Sequence, residues 1–78
     1  MNDKSKLINH FYNEALKHET NSEEFLNNSN QITKFYREQF GLSLFWLEYH
    51  QYVENDNKDS TLRYLEMMKI ELLKLDKS

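Results

Sequence analysis

His10, Glu14 and His18 stand four residues apart, so on a helix their side chains share one side. Two imidazoles so placed can hold zinc from a single helix. A zinc site needs three or four ligands, however, and the H-E-x-x-H order is absent. The trio reads as solvated surface. His50 stands alone and receives no role. Glu23 and Glu24 are adjacent, so they point to different helix sides and cannot act as an acid–base pair. Ser and His are too scattered for a nucleophile–base arrangement, and no Gly-rich phosphate loop is present. A small core does not readily enclose the roughly 300 Å³ or more of a ligand pocket. The reading is non-enzymatic: no catalytic residue, no metal and no cofactor are assigned.

Two segments carry local resemblances. Asn55-Asp56-Asn57-Lys58-Asp59-Ser60-Thr61-Leu62-Arg63-Tyr64-Leu65-Glu66 looks like an EF-hand calcium loop. Oxygen ligands fall at Asn55, Asn57 and Asp59, with a hydrophobic residue at Leu62 and the closing carboxylate at Glu66. The resemblance departs where it matters, because Asn55 lacks the first charge and Ser60 replaces the turn-forming Gly. The expected reading is a polar interhelical loop without tight calcium binding.

Phe40-Gly41-Leu42-Ser43 has the hydrophobic–Gly–hydrophobic–Ser order of a turn that resembles a helix-turn-helix, over about twenty residues in all. That resemblance would make the chain a DNA-binding regulator with Lys34 and Arg37 near the phosphates. Arg37 falls where close helix approach asks for a small residue. The would-be recognition helix begins Leu44-Phe45-Trp46 and offers base edges almost no donors. A plain helical corner is the preferred reading.

These residues must be positioned by helices. Leu7, Ile8, Phe11, Tyr12, Ala15 and Leu16 form an amphipathic stripe, which predicts a helix over 5–18 capped by Asp3 or Ser5. Thr20 and Glu23 match a capping box. Asn27 to Asn30 is weak helix, so a short helix over 22–27 and a longer one over 30–40 are expected. Gly41 suits a left-handed C-terminal cap and Ser43 an N-cap. A third helix then carries Phe45, Trp46, Tyr49, Tyr52 and Val53, with Trp46 mainly in the core. After the 55–60 loop, Asp59 or Ser60 caps a last helix with the seam Leu62, Leu65, Met68, Leu72 and Leu75. The expected fold class is all-α, a small bundle of about four helices forming one domain over 1–78.

Composition bounds the rest. Pro and Cys are absent and Gly occurs once, which excludes a turn-rich β fold and a disulfide scaffold. The net charge is -3 with both signs interspersed, so no cationic face for nucleic acid is evident. No apolar run is long enough for a signal peptide or a membrane span, and a cytoplasmic protein is expected. Seven of the eleven aromatic residues fall between Phe35 and Val53. That is more ring area than a small core needs. The surplus points to a regulator or inhibitor acting by protein–protein binding, through Tyr49, Tyr52, Tyr64 and Met67. A homodimer or an assembly subunit, as of a phage or plasmid system, would use the same surplus. Nucleic acid and membrane are disfavoured as partners.

Overall fold

The computed structural model describes residues 3–76 and is all-α, with four helices and no strand among those residues. The first helix, α1, spans Asp3–Ala15. It buries Ile8, Tyr12 and Ala15 at helical spacing. Asp3 lies in its first turn, where a carboxylate meets the positive end of the helix dipole. Ser5, a candidate cap, is instead inside the helix and buried. α1 stops three residues before the expected His18. The Lys17 and His18 amides fold back onto the Glu14 and Ala15 carbonyls, a tightened last turn that ends the helix.

The second helix, α2, spans Glu23–Phe40. Its cap is Ser22 rather than Thr20: the Ser22 Oγ accepts from the Phe25 amide at 3.1 Å. The expected break at Asn27–Asn30 does not occur. Polar side chains there bond to carbonyls of their own helix instead of opening it. Asn28 Nδ2 donates to the Glu24 carbonyl at 2.9 Å, and Thr33 Oγ1 to the Asn30 carbonyl at 3.2 Å. Ser29 is fully buried and its small side chain lets neighbouring helices close over this weak stretch.

Gly41 ends α2, and its amide donates to the Arg37 carbonyl at 2.8 Å. Its φ of 77° is positive as expected, but ψ is -169°, so the chain leaves extended rather than curled into a left-handed cap. Ser43 caps the third helix, α3 (Leu44–Glu54), by accepting from the Trp46 amide at 3.2 Å. The fourth helix, α4, spans Lys58–Asp76. Neither Asp59 nor Ser60 starts it. Asn57 does: its Oδ1 accepts from the Ser60 amide at 3.2 Å, and its carbonyl takes the Thr61 amide. Asn57→Ala is therefore expected to cost about 1 kcal/mol and lower the melting temperature by about 4–8 °C. Asp59→Ala should do less, which thermal unfolding followed by circular dichroism will check.

α2 and α4 form the middle of the bundle. α1 packs against both from one side, while α3 packs mainly on α4 from the other, and α1 and α3 do not touch. The result is flat, with Cα extents of 35 × 26 × 16 Å. The core runs through the middle pair: Phe25, Ile32 and Tyr36 from α2 meet Leu65, Met68 and Leu72 from α4. Ile8 and Tyr12 close it on one side and Tyr49 on the other.

Candidate functional site

α3 carries the residues of interest, and its four sides differ. The inner side is Tyr49, which is 1% exposed. Its ring belongs to the core and has no surface to offer a partner, which corrects its assignment as a contact residue. Helical phase explains the difference: Phe45, Tyr49, Tyr52 and Val53 are all apolar, and the sequence does not say which of them points straight in.

The side toward α4 is an aromatic edge. Phe45 stacks on Tyr64 with ring centroids 4.6 Å apart, and Tyr52 meets Tyr64 edge-on at 5.0 Å. Both tyrosines are half-buried. Desolvation, then the neighbouring Tyr52 hydroxyl and the Glu48 carboxylate, push the Tyr64 hydroxyl above the usual phenol range. Met67 lies one turn from Tyr64 and is 44% exposed. The structure thus brings Tyr52 and Tyr64 together, sets Met67 at their margin, and separates Tyr49 from all three.

The outer side and the corner before it expose a surface that the sequence reading did not single out. Phe40, Leu42, Leu44 and Leu47 are all exposed, Leu42 at 62% and Leu44 at 77%. Four exposed apolar side chains fall within eight residues around one corner, a closer grouping than the singly scattered ones a surface normally carries. A signal was present in the sequence. Once Ser43 is the cap and Tyr49 the inner residue, Leu44 and Leu47 must face out.

The side toward α2 is polar. Trp46 is half-buried rather than fully inside, and the Arg37 guanidinium lies over its ring at 5.1 Å. His50 meets the same indole edge-on at 4.1 Å. Opposite them on α2 stand Asn30, Thr33, Lys34 and Arg37, around a cleft of about 340 Å³ that opens between the helices. Trp46 Nε1 and His50 Nε2 are buried without a hydrogen-bond partner in the protein, as is the Tyr49 hydroxyl behind them. Burial pushes the Tyr49 phenol up and the His50 imidazole down. Folded His50 therefore takes up its proton at lower pH than the unfolded chain, which does so near pH 6.5. Its contribution to stability is full above that pH and falls as the pH drops through it. Melting temperatures from about pH 7.5 to about pH 5.5 should fall more in the wild type than in His50→Gln.

The other candidate groups hold no such arrangement. Lys17 Nζ donates to Glu14 Oε2 at 2.7 Å, and this bond holds the Glu14 carboxyl below its usual range. Glu14 is thus engaged by a cation beside His10 and His18. No group of three or more potential metal ligands occurs among the described residues. The calcium-like segment is not a loop beyond Asn57, because α4 begins at Lys58. Asp59 and Glu66 are then separated by about 10 Å of helix rise and cannot close on one ion. Calcium at about 1 mM should leave the melting temperature unchanged, and a rise lost in Glu66→Gln would contradict this.

A larger cleft of about 490 Å³ lies at the other end of the bundle, lined by Leu16, Lys17, His18, Glu19 and Lys58 among others. Its cations are matched by acids: Lys58 approaches Glu19 at 3.8 Å, and Lys17 is held by Glu14. No described helix is long and apolar enough to cross a membrane. Comparison with family models, with curated proteins and with solved structures finds no match to this chain.

Proposed function

We propose that the protein is a small non-enzymatic regulator or inhibitor that acts by docking a helical surface onto another protein. The observation that carries the reading is the exposed cluster Phe40, Leu42, Leu44 and Leu47 around the Gly41 corner. Leaving these partly exposed side chains in water forgoes a share of the roughly 1.5–3 kcal/mol of full burial, largest at Leu42 and Leu44, which favours a partner that covers them. The half-buried pair Tyr52 and Tyr64, with Met67, supplies an amphipathic rim of the kind favoured at interfaces. The reading puts the protein in the cytoplasm, on its Cys-free composition. A helix-turn-helix role draws less support. The outer side of α3 offers Leu44, Leu47, Glu48 and Gln51, which gives base edges few donors and brings an acid toward phosphate.

The test compares wild type with a Leu42→Asp, Leu44→Asp double variant of matched circular dichroism. A protein from the host captured by wild type and lost by the variant is expected. Capture of the same proteins by both would remove the proposed surface. Light scattering separates a second occupant: a wild-type dimer that becomes monomeric in the variant would mean the surface pairs with another copy of the chain.

A further inference from the structure

The cleft between α2 and α3 converges donors and cations on one space. From α2 come Asn30, Lys34 and Arg37, at helical steps of four and three on one side of the helix. From α3 come Trp46 and His50, four apart on the facing side. No carboxylate lines the cleft, and Lys34 and Arg37 form no ion pair among the described residues. On two of the lining residues, Trp46 Nε1 and His50 Nε2 are closed to solvent and without a protein partner. An indole N–H can only donate. A buried donor left without an acceptor is costly, so a ligand that presents acceptor oxygens recovers that cost. The other cleft, whose cations face Glu14 and Glu19, has no comparable demand for an anion.

We propose that this cleft binds the phosphate group of a small organic phosphate. Arg37, already placed over the Trp46 ring, offers its fork to two oxygens while Lys34 supplies a second charge. A small turn of the half-buried indole brings its N–H, closed to solvent in the free protein, to a third oxygen. Two cations match a dianion better than a monoanionic carboxylate. The remaining volume and the Trp46 face accommodate an apolar or aromatic ester group. The charged groups facing His50 are Lys34 and Arg37 on α2; along α3, Glu54 does not line the cleft. Burial disfavours the protonated form of free His50, and a bound phosphate favours it. Binding therefore raises the midpoint of its titration. The site is independent of the exposed apolar corner, so either proposal survives the failure of the other.

Trp46 is the sole tryptophan, so its emission reports on the cleft alone. Phenyl phosphate is titrated at constant ionic strength, alongside inorganic phosphate and benzoate, with the indole N–H resonance recorded in parallel. The expected result is a saturable change with a dissociation constant of about 1 mM or tighter for phenyl phosphate, weaker for inorganic phosphate and weakest for benzoate. Arg37→Gln should weaken it by about tenfold or more. Lys34→Gln, at an exposed position, gives the same test should Arg37→Gln lose its fold. Lys17→Gln at the far cleft should leave the affinity unchanged. The His50 midpoint should rise with phenyl phosphate present. No saturable change by about 10 mM, equal binding of benzoate, or unchanged affinity in folded Lys34→Gln would each overturn the proposal. So would a short DNA duplex that gives the same response more tightly, since the cleft would then serve a polymer backbone.

Discussion

Replacing Tyr49 by Ala is expected to unfold a large fraction of the protein, whereas replacing it by Phe should leave it as stable as wild type or more so. Tyr49 is the largest fully buried side chain and the main plug between α3 and the middle helices. Removing its ring leaves a cavity that a bundle 16 Å thick has little further core to refill. The cost should be about 3–5 kcal/mol, a large part of the total stability of such a domain. The hydroxyl behaves oppositely. It lies near Ser29 but makes no hydrogen bond of acceptable geometry, and burial pushes its pKa up. Deleting an unsatisfied buried hydroxyl returns part of its desolvation cost, up to about 1 kcal/mol. Urea unfolding of both variants measures the contrast. A Tyr49→Phe variant weakened by about 1 kcal/mol or more would mean that Ser29 supplies a working bond.

The fold was legible because its signals are redundant. Ser43 and Gly41 bracket the corner, and Leu65, Met68 and Leu72 recur at steps of three and four. The stripes marked all four helices even where the caps differ, with α2 divided in two at its Asn-rich stretch. Helix continuity across Asn27–Asn30 was not legible, since Asn and Ser bond outward in turns and backward in helices with equal ease. Tertiary packing of Ser29 against neighbouring helices decides between the two. The candidate site was partly legible. The aromatic run marked α3 and the last helix supplied Tyr64 and Met67, but apolar residues on nearly every side of α3 hid its rotation. Two features depend on that rotation: the exposed Leu44 and Leu47, and the unpartnered ring nitrogens of Trp46 and His50. Neither a pairing of α2 with α3 across a polar cleft nor an unsatisfied indole leaves a trace in spacing alone.

Gly41→Ala should destabilise the protein by about 1–3 kcal/mol through backbone conformation alone. A Cβ built on Gly41 meets nothing within 4 Å, so no clash contributes. The strain comes from φ 77° with ψ -169°, a region that L-residues avoid. The ψ value separates this position from an ordinary helix cap. At a left-handed cap Asn substitutes for Gly with little loss, because Asn tolerates that region. Here Asn should be about as poor as Ala. The same angles mirrored are ordinary extended backbone, so a D-alanine at this position in a synthetic chain should be accommodated. It should add about 0.4–1 kcal/mol over Gly by restricting the unfolded state. Leu42→Ala next door, on a side chain largely in water, should change stability by less than about 0.5 kcal/mol. Thermal unfolding of the four variants is expected to rank them D-alanine, then Leu42→Ala near wild type, then the Asn and Ala replacements of Gly41 together. The corner also aims Leu42 and Leu44 outward. Folded Gly41→Ala should therefore lose partner capture in proportion to its altered corner, while Leu42→Ala should lose it with stability intact. A Gly41→Asn variant as stable as wild type would show that the corner relaxes into a left-handed cap, and the direction of the exposed leucines would then no longer be fixed by this glycine.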